Sequence, residues 1–325
     1  MSSAEAAFID LLKGVATDPA ARGLMDDTAL FVPPAGRNLV LTHDMLVEGV
    51  HFLAGDAPAD VAWKLVAVNL SDLAGKGARP EGMLLGYMLG PDPAWDAAFV
   101  NGLAAVSAHY GIALLGGDTV SAGGGVRAYG LTAIGSVLAG GAPTRGGARV
   151  GDDLWVTGTI GDAGAGLALA LAGQTEPAAL LDAYRRPEPR VAAGQKLVPL
   201  ARASADVSDG LLIDAGRMAT ASGCDVTIDL DAVPLSAALT AHEGTGRDAR
   251  MAAVIAGDDY ELLIAAAPEQ ALSLVEAAAG VGIACTRIGW FSAGAGLVLQ
   301  ADGATIALPT KLGYEHHATG SSVDP

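Results

Sequence analysis

The sequence predicts a two-domain α/β protein divided near residue 150. Three observations predict it. The length of 325 residues is ordinary for two domains, each able to bury a core. Strand-like runs alternate with helical patterns along the whole chain. A glycine-rich stretch containing Pro143, residues 139–151, interrupts that alternation midway and reads as a linker.

The elements follow in order. Phe8, Leu11 and Leu12 have helical spacing. Residues 38–42 read as a strand. Residues 59–73 read as a helix with Val61, Leu65 and Val68 on one apolar stripe, which Asp72 continues. A second helix covers 94–110, and strands cover 112–115 and 127–137. The second half starts with a strand at 153–157, followed by a helix from about 163 and another at 191–201. Asp209 occupies the N-cap position before a helix at 211–222, and Gly223 is its stop. Strands at 226–230 and 261–265, a helix at 270–278 and a strand at 285–289 complete the reading. No short-period repeat is present.

Composition narrows the function. The net charge is −17, from 36 acidic and 19 basic residues, which argues against nonspecific binding to nucleic acid or to an anionic membrane. Hydrophobic residues make up 51% of the chain. The 44 glycines are spread among apolar runs, so a folded chain is expected rather than disorder. Cys224 and Cys285 lie in no CxxC or Cys/His cluster and read as buried thiols in a reducing compartment. The N-terminus lacks the basic start and long apolar core of a signal peptide, and the most apolar run, residues 165–172, is too short to span a bilayer. The expectation is a soluble cytoplasmic protein.

The chemistry is carried by aspartates beside small residues, where a strand or turn ends: Asp26-Asp27, Asp44, Asp72, Asp118, Asp206, Asp209 and Asp258-Asp259. Carboxylates that converge repel one another and demand cations, and hard oxygen ligands select Mg²⁺. Asp206 and Ser208 fall on one side of an extended approach to a helix N-terminus, a seat for phosphate or metal-phosphate. Gly116-Gly117-Asp118-Thr119 follows an apolar run, so its backbone can approach a phosphate closely. Neither GxxxxGK[ST] nor a strand-following GxGxxG occurs, and Ser208 has no GxSxG around it. His51 is a candidate donor to substrate, Arg145 a candidate clamp on phosphate and Tyr314 a candidate stacking ring. Lys64 and Lys76 read as surface charges, and His316-His317 as tail residues.

Taken together these segments resemble the thiamine-monophosphate kinases of the aminoimidazole ribonucleotide synthetase-like superfamily. The resemblance is carried in chain order by Met25–Leu30, Thr42–Phe52, Val68–Ala74, Gly116–Thr119, Thr144–Ala148, Val156–Thr159, Arg186–Arg190, Asp206–Leu211, Gly257–Leu262 and Gly313–His316. It implies a two-domain fold of that superfamily, with residues 1–150 as a dimerising, ATP- and metal-binding domain and 151–325 as an α/β domain completing the site. It implies ATP-dependent phosphorylation of thiamine monophosphate to thiamine diphosphate by a homodimer. Carried over residue by residue, Asp27, Thr42, His43, Asp44, Asp72, Asp118, Asp206 and Asp209 would hold metal. Gly117, Asp118, Arg145 and Ser208 would touch ATP, and His51, Asp258 and Tyr314 the thiamine phosphate. Asp44, Asp118, Asp209 and Arg145 would be the catalytic set, Mg²⁺ the metal and K⁺ a further candidate ion.

The chain departs from the family pattern at four positions: His43 for Thr or Ser, Ala256 for Gly, Asp258 for Glu and His317 for an aromatic residue. Two other readings compete. A synthetase of the same superfamily would share the acidic site, although the selenophosphate enzyme's early Cys is absent before Cys224. A nucleotide-binding regulator would bind ATP without turnover.

Overall fold

The computed structural model describes residues 3–121, 123 and 125–315; His316 and His317 lie outside them. In chain order the elements are α1 (Ala4–Lys13), β1 (Arg37–Val47), α2 (Pro58–Gly75), β2 (Arg79–Leu89), α3 (Pro93–Tyr110), β3 (Ala113–Ser121) and β4 (Ala128–Leu138). They continue with β5 (Asp153–Thr157), α4 (Asp162–Leu171), α5 (Ala178–Arg185), α6 (Val191–Leu197), β6 (Ala203–Asp206), α7 (Leu211–Ser222), β7 (Asp225–Asp229) and α8 (Ala237–Glu243). The last are α9 (Arg247–Ile255), β8 (Leu262–Ala266), α10 (Ala271–Ala279), β9 (Cys285–Ser292), β10 (Gly296–Ala301) and β11 (Ala304–Ile306). The mixed α and β architecture agrees with the predicted fold class.

Two sheets organise the chain. The first has the order β1-β4-β2-β3, antiparallel except for the parallel β2–β3 pair joined through α3. One face packs on α2 and α3 over a stack of rings, Phe8 on Tyr87 at 4.2 Å and Tyr87 on Tyr129 at 4.7 Å between centroids. On its other face Leu41, Met45 and Leu84 are exposed. One-sided burial explains why β1 alternates inward and outward residues. The second sheet, β11-β10-β7-β9-β5-β8-β6, is covered on both faces, by α7 on one and by α6 and α10 on the other. Its central strands β5 and β8 are accordingly buried at every residue.

Three differences separate the structure from the predicted elements. Strand β2 is missed because Pro80, Gly82 and Gly86 break its alternation and a register shift falls between Pro80 and Gly82. The helices α5, α8 and α9 and the strands β10 and β11 are also absent from the predicted elements. Asp209 is not an N-cap. Gly210, at φ +123°, holds that position, and its conformation turns the chain sharply into α7. The predicted stop at Gly223 is present, with φ +67°.

Candidate active site

A cavity of about 610 Å³ opens where residues from the two sheets' layers meet. The first half contributes Asp44, His51 and Asp72; the second contributes Asp206, Ser208, Asp209, Asp258 and Tyr314. Helix α2 is the frame that brings them together. It is buried along most of its length, and each polar group on its buried stripe has a defined partner. Asn69 accepts the Asp44 N–H at 3.0 Å and donates to the Leu65 carbonyl at 2.9 Å, which fixes β1 against the helix. Ser71 donates to the Asp206 carboxylate at 2.6 Å, across to the end of β6. Thr42 donates to Asp72. One helical turn, Asn69 to Asp72, therefore ties both halves to the carboxylates.

The electrostatics follow from that closeness. Burial, then the neighbouring Asp72 charge, push the Asp44 carboxyl up to about 6; Asp209 adds to the shift and His43 opposes it. Burial and then Asp72 also raise Asp206. These anions are held against their own repulsion.

Ser208 and Asp209 sit on a turn built by a residue the motif reading missed. The buried Asp214 carboxylate accepts from the Ser208 and Asp209 N–H groups, both at 3.0 Å. Arg217 donates to Asp214 at 2.9 Å and to Asp209. The signal available in the sequence was a carboxylate inside the apolar face Leu211, Leu212, Ala215 and Met218. The chain then closes over this turn: Asp258 N–H donates to the Ser208 carbonyl and Tyr314 N–H to the Asp209 carbonyl, each at 2.8 Å.

In the same cavity, His51 Nδ1 accepts the Val47 N–H at 3.1 Å, so a neutral His51 carries its proton on Nε2. The Asp258 carboxylate takes Lys64 Nζ at 2.7 Å and the Tyr260 hydroxyl at 2.9 Å. Lys64 corrects the expectation of a surface charge, since its side chain is only 2% exposed. Lys76 is also drawn in, donating to the Ser204 carbonyl at 2.8 Å. The Ala256 methyl fills the space beside Gly164: a Cβ on that glycine would lie 2.4 Å from it, so the departure at Ala256 is met by a glycine opposite.

Asp27, His43, Gly117 and Asp118 do not share this cavity. They line a second one, of about 850 Å³, against the open face of the first sheet. Strand alternation sends Thr42 and Asp44 toward α2 and His43 to the opposite face, where its Nδ1 lies 2.8 Å from the Thr132 hydroxyl. Two strands also separate β3, with Gly117 and Asp118, from β1. Gly117 is required by close approach: at φ +157° its Cβ would fall 1.8 Å from the Leu85 carbonyl oxygen. Arg145 lines neither cavity; its charge, after burial, lowers the pKa of Lys76. Asp259 accepts the Gly161 N–H at 2.8 Å.

Among the described residues, no three His, Cys, Asp or Glu side chains form a ready cage for a metal. Mg²⁺ is usually held by one or two carboxylates together with substrate phosphates and water. The crowded oxygen donors of Asp44, Asp72, Asp206 and Asp209 fit such an ion, because binding a cation relieves the repulsion that raises Asp44 and Asp206.

Two layered halves with a carboxylate-lined cavity between them define a class, the AIR synthase related proteins. The N-terminal domain model of that family matches residues 25–137, and the C-terminal domain model matches residues 149–302. Within the class, the thiamine-monophosphate kinase of Caulobacter vibrioides is 42% identical over 306 residues, 92% of this chain and 86% of that protein. The crystal structure of the thiamine-monophosphate kinase from Stenotrophomonas maltophilia superposes with a TM-score of 0.82 at 39% identity, covering 94% of this chain and 98% of that one. The structure of AaThiL complexed with AMPPCP and TMP superposes with a TM-score of 0.76 at 30% identity, covering 97% and 99%. The chain belongs to the thiamine-monophosphate kinase family.

Proposed function

We propose that this chain transfers the γ-phosphoryl group of ATP to the phosphate of thiamine monophosphate, giving thiamine diphosphate and ADP. The observation that carries the reading is the meeting of Asp44, Asp72, Asp206 and Asp209 with Ser208, His51 and Asp258 in one cavity between the halves. The acceptor is already a phosphate, so at neutral pH it is a competent anionic nucleophile and needs no strong base. The obstacle is charge, because one anion must approach another. When bound, Mg²⁺ on these carboxylates would neutralise phosphate charge and fix the alignment of the two groups. The chain's own work is positioning. Asp44 and Asp72 are fixed by α2, Asp209 and Ser208 by Asp214, and Asp258 by Lys64 and Tyr260. Asp44 and Asp209 are the proposed catalytic carboxylates, with direct in-line transfer and no enzyme-bound phosphate; Asp118 and Arg145, expected to join them, stand outside this cavity.

We further propose that residues 1–150 and 151–325 act as two domains, and that the protein works as a homodimer in the cytoplasm. The exposed Leu41, Met45 and Leu84 on the first sheet support an apolar pairing face. On that reading Asp27, His43 and Asp118 hold metal in the second cavity with Gly117 beside them, Thr42 acts through Asp72, Ser208 contacts ATP in the first cavity, and Tyr314 closes on the thiamine phosphate; Arg145, which lines neither cavity, is left without a contact. Buried, unpaired Cys224 and Cys285 suit a reducing compartment. Among the described residues no helix is long and apolar enough to cross a membrane.

The test is direct: the purified chain is incubated with ATP, Mg²⁺ and thiamine monophosphate, with and without K⁺, and thiamine diphosphate and ADP are quantified. Stoichiometric formation of both supports the reading. ATP binding without either product supports a regulator and refutes the kinase.

A further inference from the structure

Lys64 is a deeply buried cation beside the cavity, and its surroundings give it a role. It lies on α2 with 2% of its side chain exposed. Burying a lysine is unfavourable unless its donors are met. Here Nζ donates to the His51 carbonyl at 3.0 Å and to Asp258 Oδ2 at 2.7 Å, and it stands 4.3 Å from the centre of the Tyr184 ring.

Those contacts lead to one place. His51 and Asp258 come from opposite halves of the chain, and both line the cavity. Asp258 also sits at φ +69°, in the left-handed region that aspartate enters more readily than most side chains. Its second oxygen accepts from Tyr260 at 2.9 Å, so both carboxylate oxygens are aimed. Tyr184, the ring beside Nζ, is itself fixed by donating to Asp56 at 2.9 Å. A single ammonium thus sets the distance between a histidine loop and a carboxylate across the seam. It also offsets the Asp258 charge where an anionic substrate must enter.

We propose that Lys64 is a positioning residue for the phosphate acceptor: it holds His51 and Asp258 in register so that together they accept the thiamine monophosphate. The proposal rests on the kinase function proposed above. It assigns Lys64 to the acceptor and not to ATP, because Nζ meets the Asp258 carboxylate and the His51 carbonyl, whereas Asp258 touches the Ser208–Asp209 turn only through its backbone N–H, a bond that loss of the ammonium leaves in place.

Steady-state kinetics on wild type, Lys64→Met, Asp258→Asn and the double variant test it, with each substrate varied in turn and thermal melting as the fold control. Lys64→Met is expected to raise KM for thiamine monophosphate at least tenfold while KM for ATP stays within twofold. Asp258→Asn is expected to do the same, and the double variant to match the worse single one, since both break one unit. A purely structural lysine would instead shift both KM values together, or add to Asp258→Asn; either result overturns the proposal. Should Lys64→Met not fold, an unchanged KM for thiamine monophosphate in Asp258→Asn overturns it equally. Wild-type protein that makes no thiamine diphosphate refutes the kinase reading itself, whereas active wild type with unshifted variants refutes only the role of Lys64.

Discussion

Asp44→Asn separates stability from activity at this site. In the folded chain the Asp44 carboxyl is pushed up to about 6 from 3.8, first by burial and then by Asp72. A shift of about two units corresponds to about 3 kcal/mol between protonation states. Because the folded pKa lies above the unfolded one, stability associated with this group is fully present below about pH 4. It is lost as pH rises through 6, where the folded protein must carry the charge. Asparagine never carries that charge, and the Asp44 backbone bond to Asn69 remains. In metal-free buffer at pH 8 the variant should therefore be more stable than wild type, by up to about 3 kcal/mol, or several degrees in melting temperature. The advantage should shrink through pH 6 and vanish near pH 4. With Mg²⁺ added at pH 8, wild type should gain stability and the variant much less, while kinase activity of the variant falls by at least about 100-fold. Scanning calorimetry across pH, with and without Mg²⁺, reads the stability terms, and a coupled ADP assay reads the activity. A variant less stable than wild type in metal-free buffer at pH 8, or one whose advantage is independent of pH, would refute the reasoning.

Other outcomes follow from the same geometry. Asp214→Ala leaves the Ser208 and Asp209 N–H groups without their acceptor, which should cost about 2–4 kcal/mol in denaturant unfolding and raise KM for ATP; a variant with wild-type KM would separate Asp214 from the nucleotide. Gly117→Ala drives a methyl into the Leu85 carbonyl and should cost on the order of 3 kcal/mol, so an unchanged melting temperature would mean that β3 is not held as described. Rapid quenching after mixing with labelled ATP should leave no label on the protein, and a phosphoenzyme would overturn direct transfer.

The legible parts of this molecule are those whose pattern is local. Helix α7 and its glycine stop were readable to the residue because an apolar face and a C-terminal Gly lie close together in the chain. The pairing of Asp206 with Ser208 on one side of the chain was readable from strand geometry, and both line the cavity. By contrast β2 was hidden by its own Pro and Gly residues. Lys64 and Asp214 were opaque for a different reason. A lone charge in an apolar stretch looks the same whether it faces water or a partner many residues away.

The sequence by itself determined the α/β character and the family to which the chain belongs, and it is the source of the proposed division near residue 150 and of the aspartates proposed to carry the chemistry. All of these are set by residue type and by spacings shorter than one element. Only the tertiary structure decided which aspartates share a space. Alternation along β1 turns Asp44 toward α2 and His43 away from it, and the strand order puts β4 and β2 between β1 and the Asp118 strand. Asp44, Asp72, Asp206 and Asp209 therefore face one cavity, and Asp27 and Asp118 another. Strand order is fixed by the burial of two whole sheets against their helices, a sum over residues far apart in the chain, which no single motif encodes.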